Sequence, residues 1–274
     1  MKNCIVFLLI LVSGFAYSQN LTLKWKTDTL LRVPESVLVD HEKNILYVAN
    51  INGNPGAKDG NGFISKVGMD GKIISLKWVE GLDAPKGMGL HNGKLYVADI
   101  SKVTEIDIAT GKIVNHFDVE GAKFLNDITV TSKGVVYISD TQTGKIHSLI
   151  SGKIATYYES AELNGVNGLL SEGNDLYVVN FTNGKNYKLS QDKKLSLFAT
   201  TAPGADGVVP FRQGYLVSSW NGEIDHVSNK GVTTQLLDTK NKKINSADID
   251  YDAKTKTLFV PTFYANSIMA YEIK

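Results

Sequence analysis

The stretch LNGVNGLLSEGNDLYVVNF, residues 163–181, contains the pattern that decides the fold. Near its end stands the triplet Leu176-Tyr177-Val178, whose aliphatic and aromatic side chains are typical of a β-strand. Similar triplets are centred on residues 47, 96, 137, 216 and 259, so that neighbouring triplets lie 39 to 49 residues apart. A repeat of about forty residues is typical of solenoids and propellers. The chain from residue 33 to its end is therefore interpreted as six units.

Each unit shows the same order of features around its triplet. A short apolar strand comes first, and a turn rich in Gly, Asn, Asp or Lys follows, such as HNGK at residues 91–94. The triplet comes next, and then a third strand such as the one in KIHSLISGK, residues 145–153. Gly and Asn supply the backbone conformations that tight hairpins need, and no helical periodicity of useful length follows residue 20. Six all-β units of this kind predict a six-bladed β-propeller.

The segment LTLKWKTDTLL, residues 21–31, alternates apolar and polar residues and belongs to no unit. The last unit reaches the end of the sequence, Lys274, after about three strands. We therefore predict that the N-terminal segment pairs with the last blade as its outer strand and closes the ring. The alternative is a flexible N-terminal tail.

The first residues have the features of a secretory signal peptide. Lys2 supplies a positive charge, residues 5–12 are continuously apolar, and small and polar residues follow. We predict a signal peptide over residues 1–19, a single propeller domain over residues 20–274, and export to the periplasm or the extracellular space. The alternative is an uncleaved N-terminal anchor. Cys4 is the only cysteine, so the exported chain would contain no disulfide.

The composition excludes several classes of partner. The sequence has 29 Lys and Arg residues against 28 Asp and Glu residues, so it predicts neither a basic nucleic-acid-binding face nor attraction to an anionic membrane. Its five histidines form no recognisable ligand pair, and no P-loop, G-x-S-x-G or H-E-x-x-H motif is present. The predicted partner is a small-molecule substrate, with a lactone as one candidate.

Asn167 in the opening stretch has a counterpart in every unit. Aligning the units on their triplets places one residue of each unit ten to twelve residues upstream: Glu35, Lys86, Asn126, Asn167, Asp206 and Ala247. The innermost strand of each propeller blade lines the central channel, so we expect these residues to surround one mouth of it. Carboxylate and amide oxygens that converge there would suit a hard cation such as Ca²⁺. The alternative is that Asn and Asp serve only as turn residues.

At these residues the sequence resembles the SMP-30/gluconolactonase/luciferin-regenerating-enzyme-like family of six-bladed propellers. The resemblance covers the chain from about residue 33 and is carried by PESV around Glu35, FLNDITV around Asn126, GVNGLL around Asn167 and GADGVV around Asp206. It implies that Glu35, Asn167 and Asp206 bind one divalent metal, most often calcium, with zinc, manganese or magnesium as alternatives. It also implies that Asn126 contacts the substrate and that Asp206 is the catalytic general base in lactone hydrolysis.

Two further residues are candidates for contact with the substrate. Lys86 would clamp an anionic group, or its side chain would instead snorkel to solvent from the rim of the channel. Asp127 would assist Asn126, or it would serve only as a strand-start aspartate. Phe124 stands where sugar-lactone members of the family often carry an arginine, which separates this sequence from those members.

Two functions follow from this sequence. The first is an exported, metal-dependent hydrolase of the lactonase type, in which the metal polarises a lactone or ester carbonyl. The second is a non-enzymatic propeller that holds a small ligand or a protein and uses calcium only structurally. The Gly- and Asn-rich loop over residues 51–62 would lie between strands of the first unit as a functional lid or a disordered loop.

Overall fold

The computed structural model describes residues 21–274, and the predicted signal peptide lies outside the described residues. In residues 21–274, 24 β-strands form six sheets of four antiparallel strands each. This arrangement confirms the six-bladed β-propeller that the repeat predicts. Over the same residues, no helix has both the length and the apolar composition needed to cross a membrane.

Each of the first five blades is a four-stranded meander, and the strands are numbered along the chain. Strand β1 (Leu21–Lys26) precedes the first blade. The first blade contains β2 (Pro34–Asp40), β3 (Ile45–Asn50), β4 (Gly62–Gly68) and β5 (Ile73–Leu82). The second contains β6 (Pro85–His91), β7 (Lys94–Asp99), β8 (Lys102–Asp107) and β9 (Lys112–Asp118). The third contains β10 (Leu125–Val130), β11 (Val136–Asp140), β12 (Lys145–Ile150) and β13 (Lys153–Glu159).

The remaining blades repeat this plan. The fourth contains β14 (Val166–Glu172), β15 (Asp175–Asn180), β16 (Lys185–Leu189) and β17 (Leu195–Thr200). The fifth contains β18 (Ala205–Pro210), β19 (Gly214–Ser219), β20 (Glu223–Ser228) and β21 (Thr233–Asp238). The sixth contains β22 (Asp250–Asp252), β23 (Thr257–Pro261) and β24 (Ile268–Ile273). Three short 3-10 helices lie between strands, at Ala161–Leu163, Lys240–Lys242 and Phe263–Ala265.

The apolar triplets occupy the second strand of every blade, and the hydrophobic core lies between neighbouring sheets. Tyr47 and Leu82 of the first blade, for example, share one buried cluster with Met88 and Leu95 of the second. Because one sheet cannot cover both of its own faces, each blade depends on the next for burial of its apolar residues. This mutual burial around a ring explains why the unit is repeated.

The N-terminal strand closes the ring, as predicted. Strand β1 pairs with β24 in antiparallel register from Leu21 opposite Ile273 to Lys26 opposite Met269, which gives the sixth blade its fourth strand. Trp25 also reaches the first blade, where its indole N–H donates a hydrogen bond to the carbonyl of Met69 at 3.0 Å. The first and last described strands are therefore held together in one sheet, and that sheet contacts the first blade.

Carboxylates join the first strands of neighbouring blades around the channel. The N–H of Leu169 in β14 donates to Asp127 Oδ2 in β10 at 2.6 Å, and the N–H of Val39 in β2 donates to Asp250 Oδ2 in β22 at 2.8 Å. These bonds cross between different sheets. They fix the relative heights of the innermost strands and therefore the positions of the side chains at the channel mouth.

Candidate metal centre at the channel mouth

Five of the six aligned positions line one pocket at the start of the innermost strands. The pocket has a volume of about 190 Å³, and its polar lining consists of Glu35, Lys86, Asn126, Asn167 and Asp206 together with the rim residue Tyr264. Each of the five is the second residue of the first strand in its blade. The radial arrangement of equivalent strands brings together residues that are far apart in the chain. The sixth position, Ala247, is buried in an apolar cluster instead.

Three oxygen atoms of this pocket have no hydrogen-bond donor among the described residues. They are Glu35 Oε2, Asn167 Oδ1 and Asp206 Oδ1, and all three side chains are buried. Buried polar atoms in folded proteins are nearly always paired, because an unpaired one loses its hydration without compensation. Three unpaired oxygens in one pocket therefore call for a donor or a cation from outside the chain.

The raised pKa values of the two carboxyl groups in the pocket also favour a cation from outside the chain. Burial raises the pKa of Asp206 well above its usual value, the carboxylate of Asp248 raises it further, and the side chain of Asn167 partly opposes them. Burial also raises the pKa of Glu35, with additional contributions from the carboxylates of Asp206 and Asp248, while Lys86 opposes the shift. A cation between Glu35 and Asp206 would favour their ionised forms.

The donor set fits a hard divalent cation. Ca²⁺ takes six to eight oxygen ligands, typically from carboxylates, amides, carbonyls and water. Glu35 and Asp206 would supply carboxylate oxygens and Asn167 an amide oxygen, and water would complete the coordination. In residues 21–274 no group of three or more His, Cys, Asp or Glu side chains could hold a metal ion, so the candidate set includes the amide of Asn167 as its third side chain.

Lys86 is buried beside the candidate ligands, with 1% of its surface exposed, so the expectation that it snorkels to solvent is wrong. Its Nζ donates to the carbonyls of Ala84 at 2.9 Å and Pro55 at 3.0 Å, and it lies 4.5 Å from the centre of the Phe124 ring. Burial lowers the pKa of Lys86 to about 8, against the opposing influence of Glu35 and Asp99. Because Pro55 belongs to the loop over residues 51–62, Lys86 anchors that loop at the pocket.

Asn126 and Asp127 are neighbours in the chain but occupy different environments. Asn126 lines the pocket, and its Nδ2 donates to Thr141 Oγ1 at 3.3 Å. Asp127 lies outside the pocket lining, and its two oxygens accept the N–H groups of Ile128 and Leu169, each at 2.6 Å. The environment of Asp127 is that of a residue that joins blades, whereas Asn126 faces the space where a ligand would bind.

A second tier of residues lies one position further along the chain than the aligned residues, and the sequence analysis considered only Asp127 among them. Its members are Ser36, Gly87, Asp127, Gly168, Gly207 and Asp248. A Cβ on Gly87 would collide with the Asp127 carboxylate, and one on Gly207 would collide with that of Asp248. Ser36 Oγ donates to Asp248 Oδ2 at 2.6 Å, so residues of this tier from neighbouring blades are in direct contact. Shifting the sequence alignment by one residue would have revealed it.

Aromatic residues form most of the apolar wall of the pocket, and the sequence analysis missed most of them. The wall contains Phe124, Phe181, Trp220, Phe263 and Tyr264. Phe181, Trp220 and Phe263 each stand four residues after the centre of a triplet, where the chain leaves the second strand of its blade. This shared spacing from the triplets is the sequence feature that could have identified the three aromatic residues.

Comparisons with known proteins bear on the fold. No family model and no curated protein matches this sequence. Among solved structures, a streptogramin B lyase is 13% identical with a TM-score of 0.69, and the match covers 93% of this chain and 98% of that one. A gluconolactonase from Xanthomonas campestris is 16% identical with a TM-score of 0.70, covering 94% of this chain and 88% of that one.

An inactive histidine-to-alanine variant of virginiamycin B lyase from Staphylococcus aureus, solved with quinupristin, is a further match. It is 16% identical with a TM-score of 0.65, and the match covers 93% of this chain and 99% of that one. At these identities the similarity extends to the propeller fold alone.

Proposed function

We propose that this protein is an exported, divalent-metal-dependent hydrolase that opens a lactone or cleaves an ester at the channel mouth. The observation that carries the proposal is the set of three buried, unpaired oxygens of Glu35, Asn167 and Asp206 in one pocket. A gluconolactonase among the proteins of the same fold is consistent with it. Calcium is the metal that this all-oxygen donor set favours.

The roles of the residues follow from their chemistry. A cation held by Glu35, Asn167 and Asp206 would act as a Lewis acid toward the carbonyl oxygen of the substrate. Asp206 accepts a proton from the water that attacks the carbonyl carbon. The bond between the carbonyl carbon and the ring oxygen of a lactone, or the alkoxy oxygen of an ester, breaks, and the proton passes to that oxygen. Asn126 has a further N–H for the substrate, and buried Lys86 adds positive charge to the pocket.

Hydrolysis is favoured over elimination by the side chains in the pocket. The virginiamycin B lyase of the same fold is described as inactive when one histidine is replaced by alanine. Among residues 21–274, the lining of this pocket contains no histidine. Its candidate base is a carboxylate beside candidate metal ligands, which suits activation of water.

Metal analysis and a substrate panel test the proposal. Protein purified without chelator is analysed for bound metals, stripped with EDTA, and reloaded with Ca²⁺, Zn²⁺, Mn²⁺ or Mg²⁺ before assay on lactones and esters. We expect hydrolysis that is lost on stripping and restored by one of these metals. In H₂¹⁸O the product acid should carry solvent oxygen, whereas an unsaturated product without it would indicate elimination. Ligand binding without turnover of any compound would support the non-enzymatic alternative.

A further inference from the structure

We infer that the pocket selects lactones or esters with an apolar substituent over polyhydroxylated sugar lactones. This inference rests on the proposed function and specifies its substrate class. The observation behind it is the contrast between the two sides of the pocket. The carboxylate and amide oxygens of Glu35, Asn167 and Asp206 lie on the channel side, and the wall around them is built mainly from aromatic rings.

The aromatic wall is a packed structure. The rings of Trp220 and Phe263 meet edge to face with centroids 5.5 Å apart, and the Tyr264 ring lies 4.8 Å from Phe263 and 5.9 Å from Trp220. Phe263 is buried, but Tyr264 is 61% exposed at the rim. An apolar group that covers these rings would be removed from water together with them, which favours binding.

The packing beneath the wall indicates that it keeps its shape. Phe263 belongs to a buried apolar cluster with Ile51, Ala84 and Ala247, and Trp220 packs against that cluster. The side-chain amide of Asn245 donates to the carbonyl of Trp220 at 2.8 Å and holds the backbone at that point. A preformed apolar surface needs little ordering when a ligand binds.

The pocket has few polar groups left for sugar hydroxyls. If Glu35, Asn167 and Asp206 hold a cation, Lys86 and Asn126 are the remaining buried polar side chains of the lining. Lys86 Nζ already donates to two carbonyls and Asn126 Nδ2 donates to Thr141, which leaves one N–H on each for a substrate. A sugar lactone would bury several hydroxyl groups, and each unpaired hydroxyl lowers affinity.

The inner edge of the loop over residues 51–62 adds to the apolar side. Ile51 and Pro55 line the pocket, and the bond from Lys86 Nζ to the Pro55 carbonyl keeps Pro55 in place. The loop is also held from outside, because the Gly60 N–H donates to Asp83 Oδ1 at 3.1 Å. An apolar substituent would therefore lie between this loop and the aromatic wall, with the carbonyl directed at the oxygen donors.

Two six-membered lactones that differ in their substituents test the inference. The kcat/KM of the metal-loaded protein is measured for δ-decanolactone, which carries an alkyl chain, and for glucono-δ-lactone, with spontaneous hydrolysis subtracted. We expect a preference for δ-decanolactone on the order of 100-fold. Trp220→Ala and Tyr264→Ala should each reduce this ratio by about tenfold. Leu197→Ala removes a side chain that is 57% exposed on β17, outside the pocket lining, and should leave the ratio unchanged.

Calorimetry with the same two lactones, on Asp206→Asn and on the wild type, separates failure of this inference from failure of the proposed function. Metal-dependent hydrolysis that favours glucono-δ-lactone, or a ratio unchanged in both aromatic variants, overturns the inference and leaves the hydrolase intact. If no compound of the lactone and ester panel is hydrolysed but δ-decanolactone binds at least about tenfold more tightly, the hydrolase is rejected and the selectivity is supported. If no compound is hydrolysed and neither lactone is bound, both are overturned.

Discussion

At the scale of single residues, the site depends on carboxylates that the fold removes from water. Glu35 and Asp206 are buried and Asp248 is partly buried, and loss of hydration is the main cause of the raised pKa of each. A buried carboxylate lowers the stability of the folded protein when it is ionised without a partner, and a cation bound beside it offsets that cost. On the proposed function, the stability and the metal affinity of this protein would therefore be coupled through the same side chains.

Replacement of Asp206 by asparagine separates catalysis from folding. We expect Asp206→Asn to lower metal-dependent hydrolysis by at least about 100-fold, since it removes a proposed base and metal ligand. The metal-free variant should be as stable as the wild type or more stable by about 1 kcal/mol, since it loses a buried carboxylate beside Asp248. Steady-state kinetics and urea unfolding in EDTA measure the two effects. Full activity in this variant would exclude Asp206 as the base.

Calcium should stabilise the protein more strongly as the pH rises. The folded, metal-free protein holds protons on Asp248 up to a pKa of about 7 and on Asp250 up to about 6. The unfolded chain releases them near pH 4. Stability without metal should therefore fall as the pH rises from about 4 to about 7. The raised pKa values of Glu35 and Asp206 mean that protons compete with the cation at low pH.

The measurement for this prediction is the melting temperature at pH 5 and pH 8, in EDTA and in excess calcium. The increase caused by calcium should be larger at pH 8. A larger increase at pH 5 would show that calcium binds somewhere other than this carboxylate site. Magnesium provides a comparison at the same ionic strength, because it binds less readily to flexible all-protein oxygen sites.

At the scale of the elements, the innermost strands are held in register by side chains as well as by packing. Asp127 of β10 accepts the N–H of Leu169 in β14, and Thr129 Oγ1 accepts the N–H of Ser171 at 2.9 Å. These two hydrogen bonds connect the third and fourth blades at two positions along the channel. The positions of Asn126 and Asn167 at the channel mouth depend on these two hydrogen bonds. Asn126 lies three residues before Thr129 in β10, and Asn167 lies two residues before Leu169 in β14.

Replacement of Asp127 tests this connection between blades. We expect Asp127→Ala to lower the free energy of unfolding by about 2 kcal/mol, because it leaves the buried N–H groups of Ile128 and Leu169 without an acceptor. Urea denaturation measures the loss. Asp118→Ala on the outer strand β9 is the matched control, since Asp118 is exposed and should change stability by less than about 0.5 kcal/mol. Equal stability of the two variants would reject the role of Asp127 in joining the blades.

At the scale of the whole molecule, the ring is completed by a strand from the other end of the chain. The Trp25 side chain packs 5.8 Å from the ring of Phe259 in its own blade and donates to Met69 in the first blade. Trp25 therefore contributes both to the sixth blade and to the interface between the sixth and first blades. A propeller without that strand would expose the edge of β24.

Replacement of Trp25 measures the contribution of this closure. We expect Trp25→Ala to lower the free energy of unfolding by about 3 kcal/mol through lost packing and a lost hydrogen bond. Leu23→Ala lies on the same strand and is the control, since Leu23 is 49% exposed and its truncation should cost much less. Thermal unfolding compares the two variants. A smaller effect at Trp25 than at Leu23 would contradict the proposed closure.

Much of the architecture could be predicted because it depends on local order along the chain. The triplet recurs every forty residues or so, and each occurrence became the second strand of a blade. Strand β1 paired with β24 because the last unit lacked one strand. The positions of Glu35, Asn126, Asn167 and Asp206 at one pocket also followed, since equivalent residues in equivalent blades must face the same axis.

The sequence by itself therefore determined the number of blades, the closing strand and the residues at the channel mouth, because units with the same residue pattern adopt the same geometry. Only the tertiary structure decided how those residues are surrounded. Lys86 became a buried anchor for a loop, Asp127 a connection between blades, and Trp220 part of an aromatic wall. Burial and pairing depend on which neighbouring blade or loop covers a side chain, and in these cases the covering residues lie elsewhere in the sequence.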